Sequence, residues 1–159
     1  MKILKTTAVA ILMAGFASSA MAQDSNTYIN VGIDTLEFDL YNLGGKVGYN
    51  FNENFGIEGQ ASFGISSKND VKFDYVTGAF GVARFPAGEK VELFGRAGYY
   101  FAKASDTEFD ISAKDDGFAL GAGAQYFFTD RDGIRVEYTY LDGDGGNGDV
   151  FGVSYVRNF

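Results

Sequence analysis

The stretch "FGIEGQASFGI", residues 55 to 65, alternates without a break. Phe55, Ile57, Gly59, Ala61, Phe63 and Ile65 fall on one side, and Gly56, Glu58, Gln60, Ser62 and Gly64 on the other. A period of two marks an extended strand, whose successive side chains leave opposite faces. The second face of this strand is polar or nearly bare, so the two faces must meet two different environments.

The same division recurs along the chain. "LGGKVGYNF" sets Leu43, Val47, Tyr49 and Phe51 against Gly44, Lys46, Gly48 and Asn50, and "VELFGRAGYYF" sets Val91, Leu93, Ala97, Tyr99 and Phe101 against Glu92, Phe94, Arg96, Gly98 and Tyr100. "GFALGAGAQYFF", "IRVEYTYL" and "VFGVSYVRNF" repeat it near the C-terminus, and "YINVGID" opens the series at residue 28. One further run, "YVTGAFGVARF", does not fix its own phase: Val76, Phe80 and Val82 suggest one face and Phe85 the other, which allows a bulge. With it, the chain has eight candidate strands.

Short and long connections alternate between these runs. "NEN" (52 to 54), "PAGEK" (86 to 90) and "TDRDG" (129 to 133) are tight turns with turn-forming residues. The longer set, Leu36 to Tyr41, Ser66 to Lys72, Lys103 to Asp115 and Asp142 to Asp149, is more acidic and leaves little room for a large binding surface. An up-and-down meander of four hairpins follows.

Eight such strands close either into a soluble barrel with an apolar interior or into a transmembrane barrel with an apolar exterior. Isolated charges among many glycines are a poor lining for an apolar ligand and a poor soluble coat. Tyr49, Phe51, Phe55, Tyr126 and Phe128 lie near strand ends on the apolar face, where membrane barrels carry aromatic girdles. Strands of about 9 to 11 residues also match a bilayer when tilted. The expected fold is therefore all-β, an eight-stranded antiparallel up-and-down transmembrane β-barrel. Lys46, Arg96 and Arg135 take the inward phase; Arg157 takes the outward one, and both it and Arg84 lie near the interface.

Residues 1–22 read as a secretory signal peptide: Lys2 and Lys5 precede an apolar run from Ala8 to Phe16, and Ala20-Met21-Ala22 ends it with cleavage near Ala22. That run is too short for a membrane-spanning helix, which needs about 20 apolar residues. Residues 23–159 are left as one barrel domain. The chain carries a net charge of −8, and losing the leader removes only basic residues, so nucleic acid is excluded as a partner. Cysteine is absent, so strand closure must hold the fold without disulfides. Histidine is absent too, which removes the usual general base and the commonest zinc ligand.

These features together resemble the small eight-stranded outer-membrane proteins of Gram-negative bacteria, the OmpA/OmpX-like barrels, over the whole exported chain. In "GVSYVRNF", Gly152, Tyr155 and Phe159 look like that family's C-terminal assembly signal, read by the barrel-insertion machinery, although Arg157 stands where a hydrophobic residue is usual. The resemblance implies outer-membrane lipid and lipopolysaccharide as surroundings; no cofactor is expected, nor, since nothing follows the barrel in this sequence, the peptidoglycan-binding domain that larger relatives carry. Barrels of this kind that deacylate lipids rely on a His beside a Ser, and this chain has no His, so no enzyme is expected.

Three sets of residues are candidates for function. Lys46, Glu58, Arg96, Arg135 and Glu137 would meet in a lumen only just wide enough for side chains, either as a paired network that plugs it or as a narrow ion path. The long connections could bind a host ligand, as adhesin-type or serum-resistance members of the family do. Asp142, Asp144 and Asp149 suggest calcium, but an EF-hand register puts Gly146 at its fifth position, Asn147 at its required glycine and Val153 at its glutamate. The stretch reads instead as a hairpin tip, with at most weak divalent-cation contact. The leading expectation is a structural barrel with a plugged polar lumen that contributes to envelope integrity or cell-surface properties; a small passive channel is the alternative and an adhesin-like or serum-resistance-type surface protein the third.

Overall fold

The computed structural model describes residues 26–37, 40–66, 71–106 and 111–159. The expected signal peptide, residues 1–22, lies outside the described residues, as do parts of three long connections, at 38–39, 67–70 and 107–110. Eight strands follow in order: β1 (Thr27–Leu36), β2 (Leu40–Asn50), β3 (Phe55–Gly64), β4 (Val71–Pro86), β5 (Val91–Asp106), β6 (Ile111–Phe127), β7 (Asp132–Gly143) and β8 (Gly146–Asn158). Each pairs antiparallel with its neighbours, and β1 pairs with β8, Val31 opposite Tyr155, to close the barrel. Closure leaves no strand edge in lipid, where each unpaired backbone group costs several kcal/mol.

Two of the three tight turns are built by their own side chains. Asn52 Oδ1 accepts from the backbone N–H of Asn54 (2.9 Å) and of Phe55 (2.8 Å), and Thr129 Oγ1 accepts from that of Asp132 (2.9 Å). The second turn needs Gly88, whose φ of 145° disfavours any other residue.

The alternation seen in the sequence becomes an inside-out molecule. Val47, Ile57, Leu93, Ile134 and Val153 are all about half exposed on the outer wall, and Leu120 more so. Among the described residues the interior buries thirteen polar or charged side chains against eight hydrophobic ones. A water-soluble domain buries the reverse.

The fourth strand takes the phase that Phe85 suggests, without the bulge that the sequence allows near it. Its register against β5 runs without interruption from Tyr75 to Pro86, and the one irregularity lies higher, between Phe73 and Tyr75. Phe85 faces out, whereas Phe80 and Val82 are buried inside the barrel, 4% and 3% exposed. No bulge divides them; the lumen simply accepts apolar side chains on this wall. Arg84 is corrected at the same time. It does not lie at the interface on the outer wall but points inward and is 4% exposed.

The long connections are also less open than expected. β4, β5 and β6 run to 16, 16 and 17 residues, well past the length a bilayer needs. Lys103 pairs with Lys114 and Asp106 with Ile111, so most of the stretch from Lys103 to Asp115 is ladder rather than loop. Likewise Asp142 to Asp149 is the tip of a hairpin, with Gly143 opposite Gly146. The sequence hid this because polar, acidic residues continue a strand once it leaves the lipid.

Candidate functional site

β2, β3, β5 and β7 each turn their polar face into the lumen, and this brings Lys46, Glu58, Arg96, Arg135 and Glu137 together. Arg135 is fully buried and joins the two acids: its Nη1 donates to Glu58 Oε2 (2.7 Å) and its Nε to Glu137 Oε2 (2.7 Å). Arg96 donates from Nη1 to Glu58 Oε1 (2.6 Å) and from Nη2 to Gln60 Oε1 (2.8 Å), and the same Nη2 lies 3.2 Å from Glu137 Oε1. Lys46 Nζ donates to Glu137 Oε1 at 2.5 Å and lies 3.6 Å from Asp34 Oδ1. The Tyr28 hydroxyl adds a further donor to Glu58 at 2.8 Å. Each carboxylate thus faces several cationic or hydroxyl donors, which is what stabilises a charge removed from water.

Three guanidinium groups also lie over aromatic rings. Arg135 sits 3.9 Å from the Phe94 centroid, Arg96 4.1 Å from that of Phe80, and Arg84 4.2 Å from that of Tyr28. A weakly hydrated planar cation gains from such a face, all the more when desolvated. Glycine makes the space. A Cβ on Gly48 would enter the Tyr28 ring, one on Gly123 would stand 2.7 Å from Phe94 Cζ, and one on Gly121 3.1 Å from Arg96 Cγ.

Sequence reasoning missed five members of this interior. Asp34, Tyr28, Phe80 and Phe94 are bound into it as described, and Arg84 lies 3.7 Å from Glu92, which also accepts from Gln125 Nε2 at 2.6 Å. Phase alone would have found Asp34, Phe94 and Tyr28. The rings went unread because an aromatic residue on a polar face reads as noise until a guanidinium is seen opposite it.

Above the ion network, towards the end away from the termini, lies a cavity of about 290 Å³. Asp34, Asn42, Gln60 and Ser62 line it from β1 to β3, facing apolar residues of β4 and β5 such as Phe80 and Ala102. Asp115 ties its rim, accepting from the Tyr100 hydroxyl (2.8 Å) and from the Gly145 N–H (2.8 Å).

The remaining candidates are dispersed. Asp142 stands opposite Asn147 and Asp149 opposite Tyr140, with Asp144 at the tip, and Asp149 accepts from the Tyr138 hydroxyl at 2.5 Å. Among the described residues no three acids, histidines or cysteines are placed to hold a metal ion. Gly152 faces the lumen beside Asp34, Tyr155 faces out, and the Phe159 N–H donates to the Thr27 carbonyl at 3.0 Å.

A closed antiparallel barrel with an apolar wall outside and an ionic network inside defines the class: a transmembrane β-barrel. The chain belongs to the outer membrane protein beta-barrel domain family, whose model matches residues 8–159. Its place is the outer membrane of a Gram-negative bacterium. A 22 kDa outer membrane protein of Rhizobium leguminosarum bv. viciae is 28% identical over 145 residues, 85% of this chain and 68% of that protein. The fold is that of the N-terminal β-barrel domain of Pseudomonas aeruginosa OprF, with a TM-score of 0.72 at 17% identity over 86% of this chain and all of that one. Ail, the attachment invasion locus protein of Yersinia pestis, is similar at a TM-score of 0.59 and 20% identity, again over 86% of this chain and all of its own.

Proposed function

We propose that this protein is a structural barrel whose lumen is plugged by its own ion network and which contributes to envelope integrity. The observation that carries this reading is Arg135, fully buried and held at 2.7 Å by Glu58 from β3 and at 2.7 Å by Glu137 from its own strand. With Lys46, Arg84, Arg96 and Arg135 set against Asp34, Glu58, Glu92 and Glu137, the interior balances its charge. An ion entering would have to break paired groups, which disfavours the channel alternative. Catalysis has no part in this reading, since the network holds its acids and bases on one another.

Outer-membrane lipid and lipopolysaccharide are the proposed surroundings, and Gly152, Tyr155 and Phe159 the proposed signal for the insertion machinery. A second reading, surface attachment, draws on the long β4 to β6 strands and on the likeness to Ail, which has been solved with the heparin analogue sucrose octasulfate. One complementation experiment separates the two. A deletion strain should admit a hydrophobic dye faster than its parent, and a gene with the β5–β6 hairpin trimmed back to Tyr100 and Gly117 should restore the barrier. Failure of the deletion to change dye entry, with loss of cell attachment instead, would replace the structural reading by the second.

A further inference from the structure

The cavity at the far end of the lumen has two unlike walls. On one side stand Asp34 and Asn42, directly opposite each other in the β1–β2 ladder and both 5% exposed. On the other stand Phe80, Tyr100 and Ala102, which belong to one apolar cluster. Longer connections mark the outer end of such barrels, so this cavity faces the cell exterior.

At Asp34 and Asn42 the polar wall is short of donors. Lys46 gives its close contact, 2.5 Å, to Glu137 and stands 3.6 Å from Asp34, which has no other ion pair among the described residues. Arg96 spends its Nη donors on Glu58, Gln60 and Thr139, and its buried Nε, without a hydrogen-bond partner, lies at the base of the cavity. The Asn42 Oδ1 is buried without a hydrogen-bond partner. At the rim Glu37 and Asp115 outnumber Lys114, and the whole chain is acidic at −8, a field that draws in cations and repels anions.

We propose that this cavity is a binding site for a small organic cation, a primary ammonium on a compact apolar body. An ammonium group has three donors and no acceptor. It satisfies the Asp34 carboxylate and the Asn42 carbonyl together, while its apolar body covers Phe80, Tyr100 and Ala102. A volume of about 290 Å³ limits the ligand to small molecules, at the lower end of ordinary ligand pockets. The site stands on the cavity alone and does not require the lumen beneath it to be closed.

Three probes of one shape test this: benzylammonium, benzyl alcohol and phenylacetate, titrated into the folded chain in lipid nanodiscs and followed by backbone amide NMR. Benzylammonium should give saturable shifts at Asp34, Asn42 and Ala102 with an affinity at least tenfold above benzyl alcohol, and phenylacetate none. Asp34→Asn should remove the preference for the ammonium, and Ala102→Phe, which fills the cavity and leaves Asp34 in place, should abolish binding. Shifts confined to lipid-facing residues such as Leu93 and Val136 would mean partition into the bilayer and would overturn the site. So would binding of phenylacetate, or an undiminished ammonium preference in Asp34→Asn. If either variant fails to fold, the comparison of probes on the unaltered chain still decides.

Discussion

At the scale of single residues, stability turns on who faces whom inside the barrel. Removing Glu58 leaves Arg96 and Arg135 buried beside one another with one carboxylate fewer, and breaking a buried pair in this way costs about 3–5 kcal/mol. Glu58→Ala should therefore lower the unfolding free energy by that amount in denaturant titrations of vesicle-embedded protein. Asp74→Ala, which breaks a pair with Lys103 that is a third exposed on each side, should cost about 1 kcal/mol or less. A second pair acts at the third tight turn. The Tyr155 hydroxyl donates to Asp132 and, as the main cause, holds its carboxyl below the usual range. A group whose pKa falls on folding stabilises the fold above its unfolded pKa and loses that contribution as pH falls through the folded one. Refolded Tyr155→Phe should accordingly be less stable than the parent at neutral pH and lose less on acidification, as read from unfolding midpoints across the carboxylate range. At this scale the sequence shows which residues face inward, because phase alone places Lys46, Glu58, Arg96, Arg135 and Glu137. It does not show pairing, since Arg135 meets Glu58 across 77 positions of chain through a register that no single strand encodes.

At the scale of strands, the fourth separates pattern from environment. Between Tyr75 and Phe85 its outward face is small, with Thr77, Ala79, Gly81 and Ala83, while Phe80 and Val82 pack inside; over this stretch the usual rule of large apolar residues towards lipid is suspended. Because the chain has no cysteine, single cysteines report cleanly. Labels at Ala79 and Ala83 should be quenched by brominated lipid, and labels at Phe80 and Val82 should not. Quenching at Phe80 would mean that the phase is wrong. Strand existence and short turns were readable because period and turn residues are local. Strand length was not: the upper parts of β5 and β6 carry Lys103, Asp106 and Lys114, polar residues that resemble loop until Lys103 is seen opposite Lys114 in the ladder.

At the scale of the whole molecule, the fold follows from one inversion: the apolar faces go out to lipid and the polar faces go in to one another. The glycines that look like weak strand formers, Gly48, Gly121 and Gly123 among them, are the clearance for Tyr28, Arg96 and Phe94. Fold class was readable from the chain because closure, alternation and connection length are properties of its pattern. The outer cavity was not, since it arises where the polar wall of β1 to β3 faces the apolar wall of β4 and β5 across the lumen. The central claim is that this interior is closed by its own charges. Planar-bilayer recording of folded protein, verified by its heat-dependent mobility on gels, tests it directly: the unaltered barrel should show no discrete openings, whereas reproducible unitary conductance from it would contradict a plugged lumen.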